Sequence, residues 1–140
     1  MNDKEYERQK NRVRRLFHKW RQPLGLGWWR LTFIYSREPK REQTIPSEHL
    51  TDRQGIWDCV FETRSDYFYK TATITAYLSI IENIKDEDLE RYFLHEIMHL
   101  YLGSMKHSER GKEEELVATS LADMILWVVS SKIKLAKNKV

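Results

Sequence analysis

The chain has 140 residues, of which 41% are hydrophobic and 12% aromatic, enough to bury one compact core and too few for two. Its 24 basic and 21 acidic residues leave a net charge of only +3, and the single cysteine excludes an intramolecular disulfide or any multi-cysteine metal site. With no unbroken apolar run near 18 residues and no hydrophobic segment at the start, the expectation is a cytoplasmic protein with neither a membrane span nor a secretory signal.

The first segment is predicted to be an amphipathic helix. Val13, Leu16, Phe17 and Trp20 fall at helical spacing and form a stripe for the core. Around that stripe crowd Lys4, Arg8, Lys10, Arg12, Arg14, Arg15, Lys19 and Arg21, and Lys132, Lys134, Lys137 and Lys139 end the chain. Basic ends can attract nucleic acid by neutralising phosphates, but a solvated helix face is the simpler reading, so nucleic-acid contact is not expected.

Gln22-Pro23-Leu24-Gly25-Leu26-Gly27 breaks the helix, after which the period changes. Trp29, Leu31, Phe33 and Tyr35 alternate with Arg30, Thr32 and Ile34, as in a strand. Arg37 to Asp52, with Pro39 and Pro46, reads as a long loop. A second strand is expected from Ile56 to Thr63 and a third from Tyr67 to Leu78, paired antiparallel across Arg64-Ser65-Asp66. Cys59, between Trp57 and Phe61, reads as a small buried apolar residue rather than a nucleophile. Tyr67, Tyr69, Tyr77 and Tyr101 read as core or surface aromatics.

Asp86-Glu87-Asp88 gives the next helix its start, with Asp86 as the expected cap and the acids opposing the dipole. That helix runs from about Glu87 to Leu102 and carries His95-Glu96-Ile97-Met98-His99. Four residues apart on one face, His95 and His99 can reach one metal ion, with Glu96 beside it. A hydrolytic zinc site needs nitrogen or oxygen ligands at roughly 2 Å and one open position for water, and a nearby carboxylate can take the proton of that water. Phe93, Leu94, Ile97, Met98, Leu100 and Leu102 cover almost every face, so the helix should be buried. Two histidines and a glutamate in such a helix need partners, because unpaired buried polar groups are costly.

Beyond Gly103, a helix stop, Ser104 to Gly111 reads as a polar loop and a last helix begins near Lys112. Its first turn holds Glu113, Glu114 and Glu115, which the helix dipole favours. Glu115 shares a face with Ala118 and Ala122, whose small side chains let the backbone approach the preceding helix. Glu114 lines up with Ala118, Leu121 and Ile125, so periodicity alone leaves the third ligand open between the glutamates.

Residues 95 to 126 resemble the minimal zincins, especially the ImmA/IrrE-like metallopeptidases, in which HExxH is followed by E-x-x-A-x-x-F-A-x-x-L-L. Here the second part reads Glu115-Leu-Val-Ala118-Thr-Ser-Leu121-Ala122-Asp-Met-Ile125-Leu126, with Leu121 in place of the usual Phe. The resemblance implies that Glu115 is the third zinc ligand beside His95 and His99, that Glu96 is the general base, and that a small sheet precedes the active-site helix. It also implies cleavage of a particular protein partner, often a DNA-binding repressor. In zincins an extended substrate adds to the sheet's edge strand, and Thr71 to Tyr77 is the candidate edge.

Two other zincin patterns would place the third ligand elsewhere. Metzincins require glycine and histidine three and six residues past the second ligand, where this chain has Leu102 and Met105, so that pattern fails. In SprT-like proteases a more distant histidine completes the site, and His107 is the candidate for that role. The sequence therefore predicts an α+β minimal zincin fold: an N-terminal helix, a sheet of about three strands, the HEIMH helix and a C-terminal helix. A zincin-fold binding module that keeps zinc but acts through protein or nucleic-acid contact is the competing function.

Overall fold

The computed structural model describes residues 1–43, 56–103 and 111–137. Its first element, α1 (Asp3–Arg21), starts where the Asn2 side chain accepts from the Glu5 N–H at 2.8 Å. Val13 and Trp20 are buried and Leu16 and Phe17 pack half-buried beside them, as the spacing predicts. The helix ends in a turn where Gly25 takes a φ of 62°, a left-handed conformation that glycine adopts without a Cβ penalty. A short 3-10 helix (Leu26–Trp28) follows.

Five strands come next: β1 (Arg30–Ser36), β2 (Lys40–Gln43), β3 (Ile56–Cys59), β4 (Phe61–Asp66) and β5 (Thr71–Tyr77). β1, β5 and β4 form a mixed sheet in that order, β1 parallel and β4 antiparallel to β5. β2 and β3 form a separate antiparallel pair. The expected second strand is therefore two strands in two sheets, and the first part of the expected loop is β2; residues 44–52 of that loop lie outside the described residues. The β4–β5 turn falls at Tyr67–Lys70 rather than at Arg64–Asp66, with Lys70 at φ 52°. Cys59 is half-buried, its Sγ donating to the Phe61 carbonyl at 3.0 Å.

β5 occupies the middle of the sheet and is not an edge. Ala72, Ile74 and Ala76 are buried, and main-chain pairing on both sides leaves β5 no free ladder. The alternation of threonine with small apolar residues, read from sequence as an exposed edge, belongs to a central strand with one covered face. β4 and β1 are the edges.

Among the described residues, α1 and the later helix that carries Phe93 pack on the same face of the sheet. Phe17 of α1 meets Phe33 of β1 at 5.0 Å between ring centroids, and Phe93 meets Phe61 of β4 at 5.9 Å. Phe93 belongs to α3 (Asp86–Leu102), which follows the single-turn α2 (Leu78–Ile81). α1 thus covers the β1 side and α3 the β4 side. Asp86 does not cap α3; Lys85 holds the N-cap position, and Asp86 pairs with Arg12 at 2.6 Å while Arg12 also donates to the Ile81 and Ile84 carbonyls.

The last element, α4 (Gly111–Lys137), runs antiparallel along α3, with Ala118 and Ala122 buried at the contact. Arg91 to Asp123, at 3.1 Å, ties the far end. Beyond it α4 continues past the start of α3. Within Glu114–Lys134 an 18-residue window has a mean hydropathy of 1.5 with 11% of it buried, so the helix is long and apolar enough by composition to cross a membrane. Thr119, Ser120, Asp123 and Ser130 interrupt that run, which is why no continuous apolar stretch stands out in the sequence. The molecule is α+β, with four helices and a small three-stranded mixed sheet.

Candidate metal centre

Antiparallel packing of α3 and α4 brings together three side chains from the sequence-predicted site. His95 Nε2 lies 3.0 Å from Glu115 Oε2, His99 Nε2 lies 3.1 Å from Glu115 Oε1, and the two Nε2 atoms are 3.0 Å apart. One donor atom from each of His95, His99 and Glu115 falls within 4.8 Å of the others. Helical periodicity accounts for the first two, which sit one turn apart on α3. The third arrives because Ala118 and Ala122 let α4 approach closely.

Each histidine is oriented from behind. His99 Nδ1 lies 2.8 Å from Glu114 Oε1, and His95 Nδ1 lies 3.1 Å from Thr119 Oγ1. With an ion bound, a carboxylate or hydroxyl acceptor at Nδ1 would hold the proton there and leave the Nε2 lone pair to face the cluster. Glu114 and Glu115 are adjacent in sequence yet divide the work. Glu114 is a buried carboxylate whose partner is His99, whereas the Glu115 side chain is 61% exposed at the mouth of the cluster.

Two imidazole nitrogens and a carboxylate oxygen are a donor set that zinc accepts. Around a tetrahedral ion with bonds of about 2.0–2.1 Å, ligand atoms stand roughly 3.3 Å apart. The observed 3.0–3.1 Å is a few tenths of an ångström tighter, a difference that small χ rotations absorb. The residues fit zinc on these grounds.

Charge follows the same geometry. Hydrogen bonds from His95, then His99, hold Glu115 far below the ordinary carboxylate range. Glu115, and after it Glu114, raise His99 to about 9 against the opposing effect of burial. Glu96 is raised by burial, with Thr63 and the two histidines pulling the other way. Thr63 lies on β4 with its buried hydroxyl set against the Glu96 carboxylate, so Glu96 stands between the histidine pair and the edge strand.

The remaining candidates lie elsewhere. Tyr77 donates to Glu62 at 2.8 Å, and burial with that acceptor pushes it up to about 12. Tyr101 donates to the Leu24 carbonyl, and Tyr67 lies edge-on to Trp29 with Lys70 over its ring. His107 falls outside the described residues, and so does the side chain of Glu113. Glu114, weighed in the sequence only as an alternative ligand, and Thr119 and Thr63, which the sequence does not single out, are the further positions that the geometry brings to the cluster. A signal existed for the first two, since metal-binding histidines need an acceptor at the second ring nitrogen and Glu114 and Thr119 flank Glu115 by one residue and one turn.

No protein-family model, curated protein or solved structure matches this chain.

Proposed function

We propose that this protein is a zinc metallopeptidase of the minimal zincin type, hydrolysing a peptide bond in a specific protein substrate. The observation that carries the reading is the convergence of His95 Nε2, His99 Nε2 and the Glu115 carboxylate, with Glu114 and Thr119 occupying the opposite ring nitrogens. Such outer partners fix the tautomer and ring orientation that a ligand histidine needs. His95, His99 and Glu115 would hold the ion. Zinc, when bound, would supply Lewis acidity that polarises a carbonyl and brings a water's pKa toward about 7.

Glu96 is the general base. Burial raises its pKa, which moves a carboxylate toward the range where it accepts a proton and can return it to a leaving amine. Its place between α3 and β4 fits a substrate lying along β4, the edge strand beside α3, where main-chain pairing would hold an extended peptide. A DNA-binding repressor, the partner that the family resemblance implies, falls within this substrate class.

Metal content of the purified protein, measured by inductively coupled plasma mass spectrometry, tests the centre. The expected result is about one zinc per chain, lost in Glu115→Ala, and an extended-peptide library cleaved by the native protein. Glu96→Gln should keep the zinc and lose a factor of roughly 10²–10⁴ in rate. Protein that stays metal-free after zinc is supplied overturns the reading.

A further inference from the structure

Residues 1–22 hold eight of the chain's 24 basic residues and three of its 21 acidic ones. The net positive charge of the molecule therefore sits on α1, and the remainder is slightly acidic. The structure separates seven of those cations into two groups, and the eighth, Arg21, lies over the Phe17 ring. Lys10, Arg12 and Lys19 are engaged, with Glu7 at 3.2 Å, Asp86 at 2.6 Å and Glu90 at 2.5 Å. Lys4, Arg14 and Arg15 have no acidic partner among the described residues, and Arg8, bridged to Glu5 at 2.8 Å, remains 65% exposed.

The polar positions of this face are ordered. Lys4, Arg8, Asn11, Arg15 and His18 follow one another at intervals of four and three residues, within an arc of roughly 80° and over about 21 Å of helix. Arg14 lies beside the row, and Arg8, Asn11, Arg14, Arg15 and His18 line one shallow groove that contains no acid. None of these positions is apolar and His18 is the only ring among them, so the face has nothing to insert into lipid and no run of rings on which successive unpaired bases would stack. Guanidinium groups in a row suit the repeated phosphates of a duplex backbone.

We propose that the solvent face of α1 docks double-stranded nucleic acid through its phosphates, without reading base sequence. α1 packs on β1, and the His–Glu cluster sits on α3 beside β4, on the other side of β5. A duplex held on α1 therefore leaves the centre open to a protein substrate, and this surface stands whether or not the centre is a peptidase.

The experiment is fluorescence anisotropy of a labelled duplex of about 20 base pairs titrated with the full-length protein across salt concentrations. Three to four phosphate contacts predict affinity falling by roughly 40-fold or more between about 50 and 200 mM salt. Arg14→Ala/Arg15→Ala, with its circular dichroism unchanged, should weaken binding at least about tenfold and lower the log–log salt slope by about two. Lys132→Ala/Lys134→Ala, on α4, should leave both unchanged. Absence of duplex binding at about 50 mM salt overturns the proposal. It is equally overturned by binding that survives the α1 double variant, or by protein that binds phosphatidylserine vesicles through Arg14 and Arg15 but not the duplex.

Discussion

At the scale of single residues, the adjacent glutamates at the start of α4 provide the sharpest contrast. Glu115 faces both Nε2 atoms, and Glu114 holds the back of His99. Glu115→Ala removes a donor atom and should abolish stoichiometric zinc binding. Glu114→Gln keeps the donor set and should weaken zinc by about 10–100-fold, measured by competition with a chromogenic chelator. Equal losses in the two variants would contradict this division. His99 makes the same site proton-sensitive. In the metal-free protein its pKa is raised to about 9, above the ordinary value near 6.5, so the proton is bound at neutral pH and stabilises the fold most below about 6.5. That contribution disappears as pH rises through about 9. A zinc ligand must be unprotonated, so the same rise should strengthen zinc binding by up to tenfold per pH unit and level off above about pH 9. Calorimetry in buffers of different ionisation enthalpy should register close to one proton released per zinc at pH 7 from this group.

Elements explain why the helices were more legible than the sheet. α1 and α3 announce themselves by apolar residues at helical spacing, and Gly103 ends α3 where the sequence places its stop. Strand existence was readable from alternation, but strand order was not. Whether Thr71–Tyr77 is central or at an edge depends on β1 and β4 arriving from residues far away in sequence, and no local pattern in the strand encodes that. The split between β3 and β4 was hidden for the same reason, because Ile56 to Thr63 is a continuous β-favouring run whose halves pair with different partners. The candidate centre was half legible: HEIMH places two candidate ligands on one helix, whereas choosing Glu115 over Glu114 as the third requires the rotation of α4 on α3. That rotation rests on Ala118 and Ala122, both fully buried. Ala118→Leu should force the helices apart, costing about 1–3 kcal/mol in chemical denaturation and lowering zinc occupancy, whereas Leu116→Ala, at an exposed position of the same helix, should change stability by no more than about 0.5 kcal/mol. A variant at Ala118 with native stability and full zinc would show that the contact does not set the register.

The whole molecule is unevenly anchored. Sheet, α1 and α3 share one apolar core, with Phe93, Leu94, Ile74 and Val13 fully buried. α4 joins it chiefly along α3, through Ala118, Ala122 and the polar contacts of Glu114, Glu115, Thr119 and Asp123. Farther along, Trp127 is 71% exposed and Met124 and Ile133 more than half exposed, so the second part of the helix contributes little burial to hold the first. Segments with few buried apolar contacts open at lower free energy than the core. A bound metal changes that balance, because it links His95 and His99 of α3 directly to Glu115 of α4 and stabilises only the conformation in which all three meet. Removal of zinc by chelation should therefore deprotect amides around residues 114–122 in hydrogen exchange by an order of magnitude or more, corresponding to about 1.4 kcal/mol of local opening energy per tenfold change. Amides of β5 and α1 should change far less, and re-addition of zinc should restore the original pattern. Uniform deprotection of the sheet and α4 together would mean that α4 unfolds only with the whole core, making the metal a global staple rather than a clasp between two helices.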